Sequence, residues 1–378
     1  MPSKPILSKV IDFVWLPIIT GLAVAALVLF LLPESRNHNG QSNGDSYYSS
    51  ADWHGPVSYA RAVKEAAPSV VNIYTKTTVR RTNYPPLKHP FFKRLRKQQS
   101  ERIQGSLGSG VIMDNAGFIV TSLHVVNEVD EILILLYDGR ELPATVVGID
   151  PETDLAILKI YADNLQNINV GNPEKVEIGD VVLAIGNPFG MGQTVTQGII
   201  SATQRNGLNL NILENYIQTD ADINPGNSGG ALIDARGNLL GINTAVLNNE
   251  NSEGIGFAIP ANEVQKVLRH IIEHGRVIRG WLGVEAIDLT PAIATKLSLE
   301  LTTGLLVTAV VKGGPTHVSG VLPGDIVTSI NGVSVTDRHR SINQITEILP
   351  GQPIDLVVMR DKKYLAITAT AGERPALN

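Results

Sequence analysis

The feature that most constrains the fold is a succession of short apolar runs between residues 109 and 259. Gly, Asn, Asp and Pro separate these runs. Short strands with turn residues between them are typical of an all-β barrel or sandwich. A helical pattern follows over 260–274, with its apolar residues on one face and Gly275 after its end. Representative strand runs lie at 117–121, 131–136, 181–185 and 239–243.

A second pattern begins after a change in composition at residues 276–280. Five strand runs and one short helical run, at 341–349, predict a small α+β module over 276–378. The module occurs once, because the chain shows no internal repeat. The predicted strands are 281–287, 304–311, 325–330, 354–360 and 364–369.

Composition narrows the classes of protein to which the chain could belong. Its 378 residues, 43% hydrophobic and 18% charged, are enough for two or three folded units. The net charge of −5 argues against a nucleic-acid-binding protein, which usually has a strongly basic face. The absence of cysteine excludes disulfides, cysteine nucleophiles and thiolate metal sites.

The N-terminus contains an apolar run over residues 14–32, preceded by Lys4 and Lys9. A run of about 19 residues is near the length that crosses a bilayer. It is longer than the apolar region of a cleaved signal peptide, and no small-x-small cleavage pattern follows it. We therefore expect residues 1–32 to be a cytoplasmic tip and a transmembrane signal anchor, with the rest of the chain exported. A cleaved signal peptide and a buried core helix are the alternatives.

Three further segments complete the predicted organisation. Residues 33–58 are rich in Asn, Ser, Gly and Asp, which predicts a flexible tether. The first folded domain is expected over 59–275 and the second over 276–378. Within the first domain, residues 82–105 are irregular and basic. They predict a solvated loop, with a contact to anionic lipid as the alternative.

The motif with the clearest chemistry is Asn-Pro-Gly-Asn-Ser-Gly-Gly at 224–230. A serine hydroxyl becomes a useful nucleophile when it has a base, an oriented imidazole and an oxyanion site. Flanking glycines allow the backbone to turn so that the Gly226 and Ser228 N–H groups point at one oxyanion. The motif thus predicts Ser228 as nucleophile and Gly226, Asn227 and Ser228 as the oxyanion turn. Taken alone, it also fits a plain hairpin turn.

Two upstream residues supply what such a serine needs. His124 lies just after a β-run, and Asp154 stands at the head of a strongly apolar strand. A buried carboxylate there is costly without a partner, and a histidine N–H is the obvious one. The order His, Asp, Ser is that of the double β-barrel serine proteases. We therefore predict a His124–Asp154–Ser228 triad with no cofactor or metal; a core histidine is the alternative for His124.

Several motifs resemble the HtrA (Deg) family of trypsin-fold serine proteases. In the first domain these are 108–112, 123–126, 150–156, 184–190, 193–202 and 218–230, and in the second 280–284 and 320–332 resemble the family's PDZ domain. The resemblance implies a mainly β fold, with a trypsin-like domain of two six-stranded barrels followed by the PDZ domain. It also implies that Trp281, Leu282, Gly283 and Val284 bind a peptide carboxylate, since successive N–H groups beside a strand edge suit that task. Ordinary core packing is the alternative for Trp281 and Leu282.

A membrane anchor with a single PDZ domain resembles the regulated sensor members of this family. That resemblance implies a homotrimer in the bacterial inner membrane, with its folded domains in the periplasm. It implies that C-termini of misfolded outer-membrane proteins bind the PDZ domain, relieve inhibition and permit cleavage of a transmembrane anti-sigma factor. Arg205 matches a regulatory loop position, with a solvated turn arginine as the alternative. A broader quality-control protease and a catalytically silent PDZ adaptor are the competing interpretations.

Overall fold

The computed structural model describes residues 58–79, 102–187, 192–208, 210–244 and 254–375, together with positions 19, 21–24 and 27. The predicted anchor and tether therefore lie almost wholly outside the described residues. The few described positions of the apolar run are helical and exposed. Among the described residues, no helix combines the length and apolar character needed to cross a membrane. The chain divides into two units, residues 1–57 and 58–378.

The first part of the large unit is a curled antiparallel sheet. Its strands pair in the order β5-β4-β1-β2-β3-β7-β6. In β4 the residues alternate between buried and exposed, and Ile132 and Ile134 point into the core. The strands are β1 (Val70–Val79), β2 (Arg102–Ile112), β3 (Phe118–Ser122), β4 (Glu131–Leu135), β5 (Glu141–Pro143), β6 (Thr145–Asp150) and β7 (Leu155–Lys159).

The two ends of this sheet belong to one bent segment of chain. Only Ala144 separates β5 from β6, and its N–H donates to the Ile132 carbonyl at 3.0 Å. Pro143 has no N–H to donate, so the regular pairing is interrupted there and the strand bends. Counted as one bent strand, β5 and β6 give the six strands that were predicted; counted separately, they give seven.

The second part is a closed antiparallel barrel of six strands, in the order β10-β13-β12-β11-β8-β9. Every residue of β12 and β13 is buried. The predicted run 181–185 is the start of β8, and the run 239–243 forms most of β12. The strands are β8 (Val181–Gly186), β9 (Thr194–Arg205), β10 (Tyr216–Thr219), β11 (Ala231–Asp234), β12 (Leu239–Thr244) and β13 (Gly256–Pro260).

Three helices accompany the two sheets: α1 (Ala60–Ala66), α2 (Leu123–Val126) and α3 (Ala261–His274). The prediction for α3 is confirmed. It ends at Gly275, whose φ of +74° is the left-handed conformation that commonly terminates a helix. Its buried residues Val264, Val267 and Ile271 join a core that also includes residues of both sheets. The burial of this shared core fixes the two sheets against each other.

Four of the five strands predicted for the C-terminal module are present, and the fifth, predicted at 281–287, is interrupted at residues 282–283, which separate β14 from β15. The main sheet of the module has the order β15-β16-β17-β19-β20, with β18 on β17, while β14 pairs with β21. The strands are β14 (Gly280–Trp281), β15 (Val284–Asp288), β16 (Leu305–Val310), β17 (Ile326–Ile330), β18 (Val333–Ser334), β19 (Pro353–Arg360), β20 (Lys363–Thr370) and β21 (Gly372–Glu373).

The helices of this module are α4 (Pro291–Lys296), α5 (Pro315–Ser319) and α6 (Arg338–Thr346). The helix predicted at 341–349 begins and ends three residues earlier, as α6. The Asp337 side chain accepts the Arg340 N–H at 2.9 Å, and this cap sets the start of the helix. The helices α4 and α5 were not predicted, because each has only one or two turns.

Candidate active site

His124 and Asp154 are joined by two hydrogen bonds. The His124 Nδ1 atom lies 2.6 Å from Asp154 Oδ2, and the backbone N–H of His124 donates to Asp154 Oδ1 at 3.0 Å. The His124 side chain is 45% exposed, whereas that of Asp154 is 14% exposed. The carboxylate is therefore sheltered while the imidazole still reaches solvent. This is the arrangement that orients a general base.

The backbone at Asp154 is set for this contact. Asp154 has a φ of +61°, a left-handed conformation that Asp and Asn adopt more readily than most residues. Its carbonyl accepts the Leu123 N–H at 2.9 Å, which ties the turn before β7 to the start of α2. A third donor, Thr244 Oγ1 at the end of β12, lies 3.3 Å from Asp154 Oδ2. The carboxylate is thus held by residues from both barrels.

Ser228 lies on the second barrel and packs against the first. Its carbonyl accepts the Ser109 N–H of β2 at 3.0 Å. A β-carbon on Gly229 would lie 2.3 Å from Thr121 Oγ1 and 3.0 Å from the Ser122 nitrogen. A side chain at 229 would therefore prevent Ser228 from approaching the segment that leads into His124. The structure therefore joins His124 to Asp154 and places Ser228 beside the segment 121–122 that leads into His124, at the junction of the barrels.

The turn before Ser228 has a defined geometry. The Asn227 N–H donates to the Asn224 carbonyl at 2.9 Å, and Gly226, at the third position of the turn, has a φ of +104°. With Pro225 at the second position, this resembles a type II turn. Within the described residues, the Gly226 and Ser228 N–H groups have no hydrogen-bond partner. Of the three predicted oxyanion residues, Asn227 therefore uses its N–H to close the turn and the other two have theirs available.

The Ser228 hydroxyl makes no hydrogen bond to the His124 ring in the part of the chain described. Catalytic hydrogen bonds in enzymes without substrate are often long and tighten when substrate binds. No group of three or more His, Asp or Glu side chains among the described residues is arranged to hold a metal ion. The chemistry that this geometry suits is nucleophilic attack by an activated hydroxyl.

The loop between β14 and β15 presents backbone N–H groups. Its carbonyls turn inward: Thr316 Oγ1 donates to the Leu282 carbonyl at 2.8 Å, and the Val311 N–H donates to the Gly283 carbonyl at 2.8 Å. The Leu282 and Gly283 N–H groups have no partner among the described residues. Such paired N–H groups form a site for a carboxylate. The side chains behave differently, since Leu282 is buried in the module core and Trp281 packs over Gly283.

Beside this loop is an exposed strand edge. β15, which starts at Val284, is the outermost strand of its sheet and pairs with β16 alone among the described strands. The helix α6 begins next to its far end, where the Arg338 N–H donates to Asp288 Oδ1 at 2.7 Å. The strand edge, the loop and the helix form a groove in which an extended peptide could add one more strand.

Comparison with known proteins agrees with this geometry. Residues 108–242 match the model of a trypsin-like peptidase domain, and residues 280–370 match that of a PDZ domain. The chain is 41% identical to serine endoprotease DegS of Escherichia coli K12, over 95% of this chain and 97% of DegS. The chain is a trypsin-like serine endoprotease of the HtrA/DegS family.

The chain is also similar to two other members of the family. The chain is 39% identical to the periplasmic pH-dependent serine endoprotease DegQ of Escherichia coli K12, over 83% of this chain and 70% of DegQ. A solved structure, the HtrA-type protease AlgW with a decapeptide, superposes with a TM-score of 0.75 at 50% identity. It covers 85% of this chain and 100% of the AlgW chain.

Arg205, the predicted regulatory residue, lies at the exposed end of β9. Its Nε donates to Gln218 Oε1 on β10 at 2.8 Å. The loop that follows approaches the PDZ domain, since a β-carbon on Gly207 would lie 3.9 Å from His339 Nε2 on α6. Arg205 therefore borders a loop that lies close to α6.

Glu214 organises that same loop from inside the protein. It is 1% exposed, and its carboxylate accepts the N–H groups of Leu208 at 2.7 Å and Leu210 at 2.6 Å. Its own carbonyl accepts Asn343 Nδ2 of α6 at 3.1 Å. One residue of the protease domain thus fixes the loop after Arg205 and also binds the PDZ domain.

A buried ion-pair cluster joins the two domains on the other side of Asp154. Arg279 donates to both oxygens of Asp150, at 2.7 and 2.6 Å, and its Nη1 lies 3.3 Å from Glu152 Oε2. Arg374 contacts the other oxygen of Glu152 at 2.5 Å. Burial raises the pKa of Glu152, although the positive charges of Arg374 and Arg279 oppose that shift. Residues 150–154 form one turn. Arg279 and Arg374 therefore bind the same turn that carries Asp154.

The sequence interpretation missed Thr244, Glu214 and Arg279. For Glu214 a signal existed: a single acidic residue beside the apolar strand β10 needs partners, which is the reasoning that identified Asp154. Thr244 and Arg279 carried no comparable local signal, because their partners lie 90 and 129 residues away in the chain.

Proposed function

We propose that His124, Asp154 and Ser228 form the catalytic triad of this endoprotease. His124 Nε2 removes the proton from Ser228 Oγ as the oxygen attacks the carbonyl carbon of the scissile peptide bond. Asp154 accepts the Nδ1–H bond, which fixes the tautomer and stabilises the imidazolium. The imidazolium then gives its proton to the leaving amine. In the second half of the reaction His124 removes a proton from water as the water oxygen attacks the acyl carbonyl, and the imidazolium returns that proton to Ser228 Oγ as the acid product leaves. The observation that supports this assignment is the pair of bonds between His124 and Asp154.

The oxyanion of the tetrahedral intermediate is stabilised by the Gly226 and Ser228 N–H groups. Backbone donors held in place before the reaction stabilise the transition state without reorganisation, and one such donor is worth about 10²–10³ in rate. The turn closed by Asn227 and Asn224 supports this role, because it leaves both of these N–H groups without an internal partner.

We further propose that the PDZ groove binds hydrophobic C-terminal peptides and that this binding activates Ser228. The N–H groups of Leu282 and Gly283 receive the terminal carboxylate, and β15 pairs with the peptide backbone. Val284 is the first residue of that strand, while Trp281 and Leu282 hold the loop in place by packing. The decapeptide in the AlgW structure supports peptide binding as a shared property. Glu214, which binds Asn343 of α6, and Arg205, which precedes the loop that Glu214 organises, supply the route by which the groove reaches the protease domain.

The biological setting belongs to the same proposal. Residues 1–32 anchor a homotrimer in the bacterial inner membrane, residues 33–58 form the tether, and the domains 59–275 and 276–378 lie in the periplasm. The activating peptides come from misfolded outer-membrane proteins, and the substrate is a transmembrane anti-sigma factor of the envelope stress response. What supports this is similarity over 97% of the length of DegS.

A broader quality-control protease is the alternative, supported by the similarity to DegQ. That similarity leaves 30% of DegQ unmatched, whereas the match to DegS leaves 3% of DegS unmatched. The fuller coverage of DegS than of DegQ therefore favours the regulated type.

The deciding experiment measures activity with and without a C-terminal peptide. The full chain is incubated with a fluorophosphonate probe, which labels activated serines whatever the cleavage preference, and with labelled casein. We expect slow labelling alone and at least tenfold faster labelling with a synthetic decapeptide that ends in two hydrophobic residues. The same decapeptide with an amidated C-terminus is the matched control and should have no effect, because it lacks the carboxylate.

Three results would separate the alternatives. Rapid casein turnover that is indifferent to the decapeptide would support general quality control and refute regulation through the groove. Normal labelling of a Ser228→Ala variant would refute the triad. A chain that binds the decapeptide but is never labelled would be a PDZ adaptor.

A further inference from the structure

We propose that Ser109 is a positioning residue that sets the oxyanion turn and connects it to the segment after β8. This inference rests on Ser228 being the nucleophile. Ser109 lies on β2 of the first barrel, does not contact the reacting atoms, and is fully buried. It acts through the hydrogen bonds that its hydroxyl and its backbone make to the second barrel.

Ser109 contacts the nucleophile turn at two points. Its backbone N–H donates to the Ser228 carbonyl at 3.0 Å, and its Oγ donates to the Gly226 carbonyl at 2.7 Å. Thr121 Oγ1 in turn donates to the Ser109 carbonyl at 2.7 Å and so fixes Ser109 within its own barrel. The first barrel therefore holds the carbonyls on both sides of Asn227.

The Gly226 carbonyl is the point where such control is needed. Glycine has no β-carbon to restrict its backbone, so the conformation at Gly226, with φ of +104°, depends on hydrogen bonds. The peptide plane between Gly226 and Asn227 is held on one edge by Ser109 Oγ and on the other by the bond from Asn227 N–H to Asn224. The Gly226 N–H lies in the adjoining Pro225–Gly226 plane, so fixing the 226–227 plane restricts the Gly226 rotations that would turn this N–H away from the oxyanion site.

The Ser109 hydroxyl also accepts a hydrogen bond from the second barrel. The Asn187 N–H, just after β8, donates to Ser109 Oγ at 3.0 Å, and Asn187 Oδ1 accepts the Gly192 N–H at 2.9 Å. Next to it, a β-carbon on Gly186 would lie 2.7 Å from Asn227 Oδ1. The Asn187 N–H thus reaches the hydroxyl that holds the turn, while the Asn187 side chain binds Gly192, so a shift of Asn187 is passed to Gly226 through one oxygen atom.

Only a hydroxyl fulfils both roles, because Ser109 Oγ donates one hydrogen bond and accepts another. In Ser109→Ala the Gly226 carbonyl and the Asn187 N–H both become buried groups without a partner. Ser109→Cys keeps the approximate volume but offers a weak donor and a weak acceptor. Comparing Ser109→Ala with Ser109→Cys therefore distinguishes the effect of losing the hydrogen bonds from the effect of changing the packing.

The test measures fluorophosphonate labelling of the full chain at a saturating concentration of the hydrophobic decapeptide. The phosphonyl oxygen occupies the oxyanion site during labelling, so the maximal labelling rate reports the turn while the half-saturating probe concentration reports binding. We expect both variants to label about 10–100-fold more slowly, with less than a threefold change in half-saturation. If Ser109→Ala does not fold, Ser109→Cys decides.

Three outcomes would overturn the proposal. One is wild-type labelling in Ser109→Cys, which would make packing sufficient. Another is a change confined to half-saturation, which would indicate a binding effect. The third is an equal loss in Thr328→Val, a matched control that removes a hydroxyl donating to the Val357 carbonyl at 3.0 Å in the PDZ domain. Labelling of Ser228→Ala would instead refute the triad, so the two failures are distinguishable.

Discussion

The substitution Asp154→Asn tests the triad at its most constrained member. Asn adopts the left-handed conformation as readily as Asp, so a φ of +61° adds no backbone strain to this variant. In Asp154→Ala the same conformation would cost about 1–2 kcal/mol and confuse the result. The amide also has nearly the volume of the carboxylate. The change therefore keeps the shape of the side chain but removes its negative charge and its ability to accept hydrogen bonds at both oxygen positions.

The structure determines which way the new amide must face. The His124 backbone N–H, 3.0 Å from Asp154 Oδ1, can only donate, so the amide oxygen has to remain there. The amide NH₂ group then replaces Oδ2, which lies 2.6 Å from His124 Nδ1. It donates to Nδ1 and forces the ring proton onto Nε2. The imidazole then has no lone pair for the Ser228 proton.

The expected loss follows from having the wrong tautomer. In trypsin-fold enzymes this change lowers kcat about 10⁴-fold, equivalent to about 5 kcal/mol of transition-state stabilisation. The assay is fluorophosphonate labelling and peptide hydrolysis at a saturating concentration of the hydrophobic decapeptide, with thermal unfolding as the control for stability. We expect little change in half-saturation. A loss of less than tenfold in a folded variant would refute the reasoning that Asp154 sets the tautomer of His124.

Three other substitutions test the surrounding contacts. Thr244→Val removes a 3.3 Å hydrogen bond to the triad carboxylate and should lower kcat about 3–10-fold, whereas a loss near that of Asp154→Asn would contradict its secondary role. Arg279→Leu leaves Asp150, with a 3% exposed side chain, without its main partner, so urea unfolding should show a loss of about 3 kcal/mol. A partial recovery in Arg279→Leu combined with Asp150→Asn would confirm the pair, and a loss under about 1 kcal/mol would contradict it. Burial, aided by neighbouring cations, lowers the pKa of His270, whose Nδ1 accepts the Ile278 N–H at 3.2 Å. Its contribution to stability is thus present above its usual pKa of about 6.5 and is lost as pH falls through the lowered value. His270→Asn keeps an acceptor at every pH and should reduce the fall in Tm between pH 7 and pH 5; an unchanged fall would count against this bond.

Much of the fold could be predicted because it depends on local sequence patterns. The apolar face and terminal glycine of α3 were recognisable in the sequence, as were the strands β16, β17, β19 and β20 of the PDZ domain. The division of a strand at Pro143 was not, since a three-residue strand has too few residues to show a period. The short helices α4 and α5 escaped for the same reason.

The sequence predicted the triad residues and the contact between His124 and Asp154, but not the further contacts of these residues. An aspartate at the head of an apolar strand, a histidine after a strand and a serine among glycines each stand out, because buried charge and special backbone conformations limit the residues allowed. Only the structure shows that Asp154 also binds Thr244, and that the Asn227 N–H closes the turn by donating to Asn224.

The sequence by itself determined the order of domains, the chemistry of the nucleophile and the glycines that its turn requires. These depend on properties of single residues and their neighbours in the chain. The tertiary structure decided what holds that turn in place: Ser109 meets Gly226 across 117 residues, and Arg279 meets Asp150 across 129. Hydrogen bonds of this kind depend on how the barrels and the PDZ domain pack together. No local pattern records that packing, because the same serine or arginine would suit an exposed site equally well.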